Sequence, residues 1–125
     1  MKKFFGDFTD RESVLRQFDV KEEDFVNSEI IFAIYSCEGY EGSAFVLFKK
    51  DESLFEVNGG HCSCYGLEGQ FEPEETTVEA LRYRITYGTL GQDLSDGHDN
   101  YGSDLMQALN NLEITLNIGE RKIKI

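Results

Sequence analysis

Three runs dense in β-branched and aromatic residues follow one another closely: SEIIFAIYSC from Ser28, SAFVLFKK from Ser43 and LFEVNG from Leu54. The first is too rich in apolar residues for a half-exposed helix and is bounded by Asn27 and Gly39, so it reads as a buried strand. GYEG joins the first run to the second, and Lys50-Asp51-Glu52-Ser53 joins the second to the third. Parallel neighbours need a crossover of about a dozen residues or more, so connections this short restrict residues 28–58 to an antiparallel meander. In LFEV the alternation puts Phe55 and Val57 on one face and Leu54 and Glu56 on the other, which predicts a side of the sheet open to solvent near its edge.

Helical patterns flank the meander. After an apolar lead-in of Phe4, Phe5 and Phe8, TDRESVLRQF offers Thr9 or Asp10 as N-cap and Val14, Leu15 and Phe18 as a buried stripe. Downstream, Thr76 or Thr77 caps a helix whose Val78, Leu81 and Ile85 share a face, with Gly88 placed for a left-handed C-cap. Ser103 is placed to cap another helix through Leu105, Leu109, Leu112 and Leu116, although ITLNI also alternates as a strand would. A final strand is expected in RKIKI. At 125 residues the chain matches one domain, able to bury roughly two thirds of its unfolded surface. The expected class is α+β, an antiparallel sheet of three to five strands packed against two or three helices.

The charge pattern is lopsided. The formal net charge is −12; eight acids and no Lys or Arg lie between Asp51 and Leu81, and six more acids without a base lie between Ile85 and Glu120. Such a field disfavours nucleic acid and anionic membranes, whose binding requires Lys and Arg to displace counterions, and it attracts basic partners. No run approaches the ~20 apolar residues that span a bilayer. The opening MKKFFGDFTD reaches Asp7 before a secretory h-region can form, so a cytoplasmic location is expected.

Three motifs carry chemistry. The first is NGGHCSCYGLEGQ, residues 58–70, which gathers His61, Cys62 and Cys64 among glycines. Zinc takes thiolate and imidazole tetrahedrally, and Cys62 and Cys64 with His61, or with Cys37 or His98, supply the donor types. A lone C-x-C is short of the paired knuckles of structural zinc sites, and a tight turn built from small residues is the ordinary explanation of the loop. The same groups contain the parts of a cysteine nucleophile, but adjacent side chains diverge on extended backbone, and nearby acids raise a thiol pKa. The second motif is the loop of Asp93, Asp96, Asp99 and Asp104, which has oxygen ligands suited to calcium but lacks the EF-hand spacing. The third is the belt of Glu68, Glu72, Glu74, Glu75 and Glu79 around the start of the second helix. With Asp93, Asp96 and Asp99 it forms a candidate partner-binding surface that imitates the phosphates of a nucleic acid. Solubility and the helix dipole are its ordinary explanations.

The segment from YEGSAFVLF through HCSCYGLEGQFEPEETTVEAL, about residues 40 to 81, resembles a group of small bacteriophage and prophage proteins to which no reaction, ligand or catalytic residue is assigned. The resemblance implies a phage-encoded accessory protein made in a bacterial cytoplasm. The expected function is therefore non-enzymatic: binding and inhibiting a basic host protein, such as a nucleic-acid-processing or defence complex, without contacting nucleic acid or membrane directly. The alternatives are a zinc-organised structural or regulatory module and a Cys-dependent enzyme.

Overall fold

The computed structural model describes residues 2–38, 41–62, 66–90 and 101–112. Strand β1 (Phe4–Gly6) leads into helix α1 (Arg11–Phe18) and a 3-10 turn (Glu22–Asp24). Strands β2 (Ser28–Glu38), β3 (Glu41–Lys50) and β4 (Ser53–His61) follow, then β5 (Glu74–Thr76) and helix α2 (Val78–Thr86). A further helix, α3, spans 102–112. The strands form one sheet in the order β1-β2-β3-β4-β5. The meander is antiparallel as expected, and β4 turns back once more onto β5.

The apolar lead-in turns out to be a strand, and it runs parallel to β2, pairing Phe4 with Ala33 and Gly6 with Tyr35. The sheet is therefore mixed. The crossover that parallel pairing requires is supplied by α1 and the 3-10 turn. Gly6 adopts φ +66°, and a Cβ there would overlap the Tyr35 carbonyl oxygen, so this position needs glycine.

Both faces of the sheet are covered. On one side α2 and α3 deliver Leu81, Leu105, Ala108, Leu109 and Leu112 onto Phe5, Phe32, Ile34, Phe45, Leu47 and Leu54. On the other, α1 and the 3-10 turn deliver Val14, Leu15, Phe18 and Phe25 onto Ile30, Ala33, Tyr35, Ala44, Val46, Phe48 and Val57. This explains why Ala44 through Phe48 form an unbroken apolar run, since a central strand covered on both faces has no polar side. A bulge between Ile30 and Phe32 lets Ile31 and Phe32 share the α2/α3 face, and Ala33 then resumes the alternation on the α1 face.

Both helix starts agree with their sequence signals. Asp10 accepts from the Ser13 amide, and the Ser13 hydroxyl receives the Asp10 amide, closing a capping box. Thr77 caps α2 by accepting from the Ala80 amide. At the far end of α2, Gly88 is not left-handed: the helix closes on Tyr87 at φ −111°. Residues 113–118 and the strand expected in RKIKI lie outside the described residues. No helix among the described residues is long and apolar enough to cross a membrane.

Candidate functional site

The glycine-rich loop leaves the sheet at the end of β4 and is tied down at both ends. Gln70 acts as a detached rung of the ladder. Its Oε1 accepts from the Gly60 amide at 2.8 Å, and its Nε2 donates to the Gly60 carbonyl at 2.7 Å and the Gly66 carbonyl at 2.6 Å. Leu67 is buried in the α1-side core, and Phe71 meets Phe18, Phe25 and Phe48 with ring centres 5.5, 5.7 and 6.0 Å away. The return limb is therefore anchored by apolar packing.

His61 is the chemical group the fold places most definitely. Its Nδ1 and the Tyr35 hydroxyl share a 2.9 Å hydrogen bond, with the rings perpendicular at 5.4 Å. Gly42 stands opposite on β3, where a Cβ would overlap the imidazole. With Nδ1 engaged, Nε2 is the ring atom a metal would take; Cys62, the next residue along the chain, is half-buried. Cys64 and His98 lie outside the described residues, and Cys37 is placed by its backbone in β2, paired with Gly42. Among the described residues, no group of three His, Cys, Asp or Glu comes together to hold a metal. For a cysteine nucleophile, the hydrogen bond to Tyr35 commits the His61 Nδ1 elsewhere.

The carboxylates of the belt are placed on either side of α2's start. Glu74 and Glu75 lie on β5, the edge strand, not on the helix, and Glu79 is in the first turn of α2. Glu68, Glu72, Glu74, Glu75 and Glu79 are all exposed. Asp93, Asp96 and Asp99 fall outside the described residues, and Asp104 is half-buried in α3.

Four cations are turned to partners within the fold, while Arg16, Lys21 and Lys50 stay exposed. Arg11 donates to Glu22 at 2.7 Å and to the carbonyls of Phe25 and Ser28, with its guanidinium 4.5 Å from the centre of the Phe25 ring. Lys3 donates to the Ile30 carbonyl, Arg82 to Asn110, and Arg84 to Glu56 at 2.7 Å.

Glu56 departs most from the sequence reading. The LFEV alternation is correct, but the face expected to meet solvent is covered by α2, and Glu56 is 6% exposed. A charge at that depth persists because Arg84 reaches across from α2 to neutralise it, and the Asn58 side chain donates to its other oxygen. Nothing local marks that pairing, since the partners are 28 residues apart. Tyr83 and Tyr87 were also missed. They stand 65% and 76% exposed, and their signal was present: if Val78, Leu81 and Ile85 point inward, positions 79, 83 and 87 point outward.

Comparison with protein-family models, with curated proteins and with solved structures finds no match to this chain.

Proposed function

We propose that this chain is a small acidic accessory protein of the phage type that binds a basic bacterial protein through an acidic surface and inhibits it by occupying its basic site. A nucleic-acid-processing or defence complex is the class of partner that fits, because such proteins present grooves built for phosphate. One observation carries the reading. The carboxylates of Glu68, Glu72, Glu74, Glu75 and Glu79 all reach solvent in a stretch without Lys or Arg, while Arg11, Arg82 and Arg84 are turned to partners within the fold. The acidic surface is thus left with little internal neutralisation, which favours steering of a cationic partner.

The test is charge reversal. Glu72→Lys, Glu74→Lys and Glu75→Lys together abolish capture of the partner from bacterial lysate, and capture by the unaltered protein weakens as salt is raised. Capture unchanged by the triple reversal would refute the proposal.

A zinc-organised module is the second reading, favoured by the hydrogen bond between the Tyr35 hydroxyl and Nδ1 of His61, which fixes the imidazole and leaves its Nε2 as the atom a metal would take. Metal-ligating histidines are commonly held through their other ring nitrogen in this way. Stoichiometric zinc in the purified protein, lost in Cys62→Ser and Cys64→Ser, supports it, and metal-free protein of full stability ends it.

A further inference from the structure

We infer that the outward stripe of α2, Glu79, Tyr83 and Tyr87, is the anchor on which an arginine-bearing segment of a basic protein docks, an inference that rests on the acidic-surface reading above. The three residues succeed one another at four-residue intervals and so lie along one line of the helix. The opposite face carries Val78, Leu81 and Ile85 into the core. Tyr83 and Tyr87 leave 65% and 76% of their surface in water, and their rings lie against each other at 5.1 Å with a 47° tilt. Single exposed aromatics are common on soluble proteins, but two packed side by side make a continuous apolar surface. Tyrosine is also the residue type that concentrates binding energy at interfaces, because it offers a large rigid face for little loss of rotamer freedom.

The charges around the stripe select its occupant. The two arginines of the helix are withdrawn, Arg82 to Asn110 and Arg84 to Glu56. What remains beside the rings is Glu79, with exposed Glu74 and Glu75 just upstream on β5. An anionic partner meets the Glu79 charge and a neutral one gains only from covering the rings, whereas a cation gains from both rings and carboxylate. Arginine fits better than lysine: a planar guanidinium stacks on a ring while its fork of donors reaches a carboxylate, and a hydrated ammonium does only the second.

The experiment uses a short peptide of alternating arginine and serine and its lysine counterpart of equal length, titrated against the full chain by fluorescence anisotropy. The unaltered protein binds the arginine peptide about fivefold more tightly than the lysine peptide. In Tyr83→Ala/Tyr87→Ala that preference disappears while the weaker, salt-sensitive binding of both peptides stays. Tyr83→Phe/Tyr87→Phe, which keeps the rings, retains the preference. Circular dichroism establishes that each variant is folded, as expected for residues so exposed. Equal affinity for the two peptides, or a preference indifferent to the tyrosines, overturns the inference and leaves the acidic-surface reading standing. Failure of the unaltered protein to bind either peptide overturns both. Self-association that is lost in the alanine variant, with peptide affinities unchanged, also overturns it and makes a second copy of the chain the occupant.

Discussion

Glu56 and Arg84 show how one side chain can be read correctly in direction and wrongly in environment. The alternation of LFEV assigns Glu56 to the same face as Leu54, and the structure agrees, yet α2 covers that face. A buried carboxylate is tolerable only while its counter-charge holds, and directly across the ladder stands another acid, Glu74. Arg84→Ala is accordingly expected to lower the free energy of unfolding by about 2–3 kcal/mol, read from urea denaturation. Glu56→Met/Arg84→Met, which removes both charges and keeps the volume, should recover most of that loss. A single Arg84→Ala as stable as the parent would mean that the ion pair does not hold α2 to the sheet.

At the scale of elements, the sheet protects edges that short strands leave open. β1 spans only three residues of the eleven in β2, and the outward carbonyls of Ser28 and Ile30 receive Arg11 and Lys3 instead of another strand. β5 likewise pairs with Leu54 to Glu56 alone, and Gln70 takes the place of a strand at Gly60. Such capping blocks edge-to-edge pairing between copies. Gln70→Ala should cost about 1–2 kcal/mol, less than three separate hydrogen bonds because water can replace some of them. It should also accelerate hydrogen exchange at the Gly60 amide well beyond that of the Val46 amide in the central strand. Equal exchange in parent and variant would show that Gln70 does not secure the loop. The α1 and α2 starts were legible because Asp10, Ser13 and Thr77 act on amides three residues away, within reach of any local reading. The role of Phe4 to Gly6 was not, because three apolar residues acquire strand character only from the β2 edge that accepts them.

For the whole molecule the dominant quantity is its net charge of −12. Like charges spread over a small surface repel, and this repulsion opposes the compact state more than the unfolded one. Salt should therefore stabilise this protein. Raising NaCl from about 0.01 M to about 1 M contracts the screening length from about 30 Å to about 3 Å. The thermal midpoint is expected to rise by about 4 °C, equivalent to roughly 1 kcal/mol in a domain of this size. The ion pairs of Arg11 and Arg84 lose some attraction over the same range, so the sign of the change reports which effect is larger. A falling midpoint would mean that internal ion pairing outweighs surface repulsion.

The sequence by itself determined the meander of β2 to β4, its antiparallel sense, the starts of α1 and α2, and the inward faces of both helices. Each of these depends on neighbours in the chain: a period of two or 3.6, a cap within one turn, a connection too short for a crossover. Only the tertiary structure decided that β1 enters the sheet in parallel, that both faces of the sheet are covered, that Glu56 is buried, and that Arg11, Arg82 and Arg84 find partners within the fold while Tyr83 and Tyr87 remain outside. Those outcomes depend on which distant surface arrives at a given face, and periodicity states which residues share a face without stating what that face meets.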